Sequence, residues 1–217
     1  MLTGFRDPQR PGARPVEQSD LLPWAQSILA HKREAVLLTN DIKRFQSLPC
    51  RLVEVKTNQR NPYVARMHLF LSYLRSVERM VPYVFLTDVG DVLMMSDPFP
   101  CLEERLYMGD ELGLIGNSDW MKRQVAGFKD LEAWIAANGD KVILNMGLIG
   151  GKTSLVIEFL DRVCKYFDAN VRKIGNQILE MPVGNMVGYE MGAVHGTPVN
   201  TRFKGNEMST AAWWKHK

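Results

Sequence analysis

Val84-Phe85-Leu86-Thr87-Asp88-Val89-Gly90-Asp91 sets an apolar, β-prone run directly against a loop that carries two carboxylates. The run reads as a central strand of a sheet covered on both faces, and the acids fall where that strand leaves the sheet. In open α/β sheets ligands collect at this carboxyl edge. Two carboxylates this close repel, and each resists ionisation unless a cation or a set of donors offsets the charge. Magnesium and manganese take oxygen ligands and keep coordination places for phosphates, so the pair is a candidate anchor for a metal-bound diphosphate. Gly90 lets the backbone between the acids turn tightly. The same residues also read as a solvated turn with helix-capping aspartates, so the surrounding chain has to decide between the two.

The 217 residues suffice for one globular domain spanning 1–217, with a core that needs no staples. Apolar residues at 46% and charged residues at 24% are ordinary for a soluble enzyme. A net charge of +3 is too small to demand a polyanionic partner. Cys50, Cys101 and Cys164 form no C-x-x-C spacing, which argues against a disulfide framework or a zinc site and fits a reducing, cytoplasmic interior. No apolar stretch is long enough to span a bilayer, and the basic, Pro-rich N-terminus lacks the apolar segment of a signal peptide.

Outward from the acidic loop, β-like runs alternate with helical patterns, which predicts an α/β fold with a mostly parallel central sheet flanked by helices. Met1 to Phe5 is a short first strand, residues 19–31 a helix, and Ala35–Thr39 and Arg51–Val55 strands. Asn61-Pro62 supplies an N-cap and a first helical position, followed by Met67, Phe70, Leu71, Leu74 and Val77 at helical spacing. Arg66 lies off that stripe near the helix start, where the dipole does not help a cation; it is either a solvated arginine or one with a ligand to meet. Asp97-Pro98-Phe99 and a polar stretch through Trp120-Met121 come next, then a helix over 130–138 and a strand over Lys141–Leu144. A long helix follows, its buried side marked by Val156, Phe159, Leu160, Val163 and Phe167.

Between that strand and helix runs Asn145-Met146-Gly147-Leu148-Ile149-Gly150-Gly151-Lys152-Thr153. Gly151-Lys152-Thr153 invites a phosphate-loop reading, but the required first glycine is Met146. Asn145 and Gly147 suit another task. An asparagine offers a donor and an acceptor to hydroxyl groups, and a glycine lets a sugar approach the backbone; a turn glycine with a capping asparagine is the alternative. The last fifth of the chain carries Glu180, Asn185, His195-Gly196-Thr197-Pro198, Arg202, Lys204 and Trp213-Trp214-Lys215-His216-Lys217 with few helical stripes. Two tryptophans before the end call for burial, which would pin the terminus to the body. A pinned neutral imidazole at His216 can complete a metal sphere begun by Asp88 and Asp91, and the adjacent Lys217 ammonium can neutralise a leaving diphosphate; a frayed tail is the alternative.

Taken in order, Thr3-Gly4, the helix with Arg66, Phe85-Leu86-Thr87-Asp88-Val89-Gly90-Asp91-Val92, Asp97-Pro98-Phe99, Asn145-Met146-Gly147 and His216-Lys217 resemble a nucleotide-sugar glycosyltransferase of the GT-A fold, of the small phage or bacterial type with glycogenin-like features. The resemblance covers nearly the whole chain, and the acidic motif departs from the usual D-x-D by one inserted residue. It implies Mn2+ or Mg2+ bound by Asp91, with Asp88 on the metal or the ribose and His216 as third ligand. It further implies a donor pocket of Thr3, Gly4, Arg10, Arg66, Asp88, Asn145, Gly147 and Lys217, and Glu180, Asn185 and Asn145 beside the reacting centre. Glu180 either takes the acceptor proton or hydrogen-bonds sugar hydroxyls. The implied donor is a UDP- or GDP-sugar. The resemblance makes a hydroxymethylated DNA base, a virion protein and a glycan the candidate acceptors, and implies a cytoplasmic enzyme, in the host cytoplasm if phage-encoded. Two other classes stay open: a phosphoryl-transfer enzyme built on Gly151-Lys152-Thr153, and a non-catalytic nucleotide-sugar-binding module.

Overall fold

The structure, a computed structural model, describes residues 16–201 and 212–216. Thr3, Gly4, Arg10, Arg202, Lys204 and Lys217, and the strand expected at 1–5, lie outside the described residues.

The fold is mixed α/β. Helix α1 (Gln18–Ala30) is followed by β1 (Val36–Thr39), the short α2 (Ile42–Phe45), β2 (Arg51–Glu54) and α3 (Pro62–Val77). Then come β3 (Tyr83–Thr87), β4 (Val92–Met94), β5 (Leu106–Leu114), α4 (Asp119–Gln124), α5 (Lys129–Ala137) and β6 (Val142–Lys152). Helices α6 (Thr153–Ile174) and α7 (Glu180–Glu190) and strands β7 (Asn200–Thr201) and β8 (Trp214–His216) complete the described chain. Asn61 caps α3 as its sequence demands, its side chain accepting from the backbone of Tyr63 and Val64.

The expectation of one mostly parallel sheet is corrected by the pairing. Strands β1 and β2 form a parallel pair, β3-β6-β5 an antiparallel three-stranded sheet, and β4-β8-β7 a second three-stranded sheet. The acidic loop therefore follows an edge strand of its sheet, and the centre is β6. The reason lies in β5, within the stretch expected to be polar: Leu106, Tyr107 and Met108 are buried and pair antiparallel with β6.

Strand β6 is covered on both faces. Ile149 and Met108 belong to one core with α3, α6 and α7, while Leu148 and Tyr107 belong to a second core with α1, β1, β4, Trp213 and Trp214. The α6 stripe Val156, Phe159, Leu160, Val163 and Phe167 is at most 1% exposed, as its spacing requires.

The glycines that suggested a phosphate loop are strand residues. Ile149, Gly150 and Gly151 pair on one side with Leu86, Phe85 and Val84 and on the other with Met108, Tyr107 and Leu106. No arc of free amides forms there, and Lys152 is ion-paired to Glu104 at 2.7 Å. What the glycines provide is room. A Cβ on Gly150 would lie 2.1 Å from the Phe85 ring, which is itself held between Phe99 and Trp214 at centroid distances of 6.0 and 5.1 Å. The ring would have to leave these contacts, so Gly150→Ala is expected to destabilise the protein by about 1–3 kcal/mol, the usual range for overpacking. Urea unfolding at constant m-value checks this; an unchanged midpoint would show that the ring moves aside.

Candidate metal centre

Tertiary pairing assembles the site from three separate segments: the stretch from β3 through the acidic loop to β4, Gly147 of β6 and His216 of β8. Strand β3 delivers Asp88, whose backbone N–H donates to the Gly147 carbonyl at 2.8 Å. The loop then turns at Gly90 into β4, and Val92 of β4 pairs with His216 of β8. Strand β8 is anchored by Trp213 and Trp214, 8% and 2% exposed, so the burial expected of the two tryptophans is what sets His216 beside Asp91. The His216 Nε2 stands 3.8 Å from Asp91 Oδ1. Asp88, Asp91 and His216 each offer a ligand atom, and these atoms all lie within 4.8 Å of one another.

The surroundings fit a divalent cation. Burial holds His216 below its ordinary pKa against the pull of Asp91 and Asp88, which favours the neutral, metal-ligating imidazole. A Cβ on Gly147 would come within 2.6 Å of Asp88 Oδ2 and 2.7 Å of His216 Cε1, so the absence of a side chain there keeps the ligand cluster open. Two carboxylates with an imidazole form the hard, oxygen-rich donor set of magnesium or manganese. On another side, Gly90 and Asp91 border a cavity of about 290 Å³ that also touches Ser19, Asp20 and Trp24.

Arg66 holds the site's charges together. Its guanidinium donates to Asp88 Oδ1 through Nη1 and to Glu180 Oε1 through Nη2 at 2.5 Å, with a longer contact to the Met146 carbonyl at 3.5 Å. Arg66 therefore has a ligand, but one made of side-chain acids; with the fork committed to them, direct binding of donor phosphates or base by this residue is not supported. Glu180, at the start of α7, is 6% exposed, and its Oε2 is buried without a hydrogen-bond partner among the described residues. Burial pushes its carboxyl up to about 7, Arg66 opposing and Asp88 adding to the shift.

Asn145 is placed beside Gly147 as expected, but both ends of its amide are engaged. Its Oδ1 accepts from Gly147 N–H at 2.6 Å and its Nδ2 donates to Glu111 Oε1 at 2.8 Å. Asn185 is elsewhere. It is fully buried, clamping both backbone groups of Leu144 and the Met181 carbonyl, so its polar atoms serve the packing of α7 on β6 and do not face an acceptor. Sequence reasoning missed Glu111. Its signal was a pair of adjacent acids, Asp110-Glu111, within an otherwise apolar strand; Asp110 turns to His195 Nδ1 at 3.3 Å and Glu111 to Asn145.

No protein-family model matches the sequence, and no curated protein matches it either.

Two outcomes follow from this geometry. Asp91→Ala and His216→Ala should each weaken Mn2+ binding about tenfold or more, measured by titration calorimetry, since even outer-shell partners of a metal are worth that much. In chelator, Glu180 contributes stability that is fully present below its unfolded pKa of about 4.3 and is lost as pH rises. The loss runs through the folded value of about 7. Melting temperatures from pH 4 to 8 should therefore fall less steeply for Glu180→Gln than for the wild type; parallel curves would show that Glu180 ionises freely.

Proposed function

We propose that this chain is a metal-dependent glycosyltransferase of the GT-A type, moving a sugar from a UDP- or GDP-sugar to an acceptor hydroxyl. The observation that carries the reading is the convergence of the Asp88 and Asp91 loop with His216, far away in sequence, across from Gly147. A nucleotide-sugar site needs a cation centre for the diphosphate and an uncrowded backbone where the sugar rests, and these residues offer both. The parallel β1–β2 pair with its neighbouring helices and the acidic loop directly after β3 support the GT-A reading of the fold.

Mn2+ or Mg2+ held by Asp91, His216 and the Oδ2 side of Asp88 would supply charge neutralisation for the leaving diphosphate. The remaining work falls to the protein. Arg66 keeps Asp88 and Glu180 in place, Gly147 keeps the sugar position open, and Glu180 is the acid this reading assigns to the acceptor hydroxyl. As the acceptor oxygen bonds to the anomeric carbon and the bond to the diphosphate breaks, the acceptor proton passes to Glu180. A carboxyl raised to about 7 is matched to that task near neutral pH. The acceptor is a hydroxymethylated DNA base, a virion protein or a glycan, and these separate by assay: binding to DNA weakens steeply with salt.

The test is release of nucleoside diphosphate from UDP-glucose, UDP-galactose, UDP-N-acetylglucosamine and GDP-mannose with Mn2+, water or added glycan serving as acceptor. Wild-type protein should release UDP or GDP from at least one donor, and Asp91→Ala should lose that release while its melting temperature holds. Donor binding with no release under any acceptor would leave a binding module. Release that survives Asp91→Ala would remove the metal site from the reaction.

A further inference from the structure

We infer that Glu111 is a specificity-determining residue of the sugar subsite, reading sugar hydroxyls in the role the sequence alone suggested for Asn145. The inference rests on the glycosyltransferase reading and extends it to the wall of the site formed by β5.

The backbone marks the place. Between β5 and β6 the register breaks twice in succession. Met108 pairs with Ile149 but Gly109 pairs with Asn145, so β5 skips Met146, Gly147 and Leu148, while Leu148 keeps its pairing with Thr87 of β3. Then Asp110 pairs with Leu144 but Leu114 with Val142, so the stretch beginning at Glu111 bulges out of β5. Bulges re-aim side chains and end pairing beside functional sites. Here the two register shifts adjoin, and one hydrogen bond joins them, Asn145 Nδ2 to Glu111 Oε1 at 2.8 Å.

Glu111 is thus linked to the proposed diphosphate end through Asn145, whose Oδ1 takes the Gly147 N–H at 2.6 Å. The skipped stretch is approached by Glu111 from β5 and by the Arg66–Glu180 pair from the helices, whose Nη2 contacts the Met146 carbonyl. Arg66 holds Glu180. Glu111 receives a neutral amide, and burial raises its carboxyl above the usual range despite that bond. A carboxylate has about four acceptor positions and Asn145 takes one, which leaves a half-buried acid able to accept from two neighbouring hydroxyls. Asn145, with its own amide engaged at both ends, orients Glu111 and the Gly147 backbone.

Calorimetry in Mn2+ tests this with UDP-glucose, UDP-galactose, UDP-N-acetylglucosamine and GDP-mannose against UDP and GDP. Glu111→Gln keeps an oxygen for Asn145. It should weaken the sugar nucleotide that the wild type binds by about tenfold, the worth of one charge-assisted hydrogen bond, with the parent diphosphate and Mn2+ held within about twofold. Glu111→Asp, which keeps the charge but shortens the reach, should show the same selective loss and serves if the glutamine variant does not fold. Unchanged sugar-nucleotide affinity overturns the assignment. So does an equal loss for sugar nucleotide and parent diphosphate, which would make Glu111 a support for the whole site. A wild type that binds the parent diphosphates but none of the four sugar nucleotides removes the glycosyltransferase reading itself, and this inference with it.

Discussion

Burial of two tryptophans near the end of the chain is the constraint on which the site depends. Trp213 and Trp214 enter the core built by α1, β1 and β4, and the strand that begins at Trp214 pairs with β4 directly after the acidic loop. Because Val92 faces His216 across that pairing, a one-residue slip would turn the imidazole to the other face of the sheet and away from Asp91. The register is held by apolar burial, and the polar cluster inherits its geometry from it.

Electrostatics sets the second condition. Asp88, Asp91 and Glu180 would repel in a partly buried site, and Arg66 offsets the two acids it touches. Division of labour follows from that arrangement. Asp88 gives one oxygen to Arg66 and turns the other toward Gly147 and His216, while Glu180 gives one oxygen to Arg66 and its other has no partner among the described residues. The proposed chemistry uses the two remaining oxygens, one beside the cation centre and one for the acceptor.

Much of this was legible where local physics governs. Asn61-Pro62 announced the start of α3, the apolar stripe of α6 lies buried as its spacing required, and Asp88, Asp91, His216 and Gly147 were all named from residue type and order. Strand β5 was missed because Gly109-Asp110-Glu111 interrupts its apolar pattern, and those acids are there for their contacts with His195 and Asn145. Helix α7 was missed because Pro182, Gly184 and Gly188 weaken its helical signal. Those glycines admit close packing: a Cβ on Gly184 would meet Met146 Sδ at 2.0 Å, and one on Gly188 would meet Met108 Sδ at 2.7 Å.

The amino-acid sequence by itself determined the mixed α/β class, the main helices and the residue types of the candidate cation site, because periodicity, capping and the repulsion of paired acids are local properties. Only the tertiary structure decided the antiparallel core, the service of the β6 glycines as packing surfaces, the capture of Arg66 by two acids and the place of Glu111. Strand direction, close approach and charge pairing all depend on which distant segments meet. That choice is made by the burial of whole faces, which no local pattern encodes.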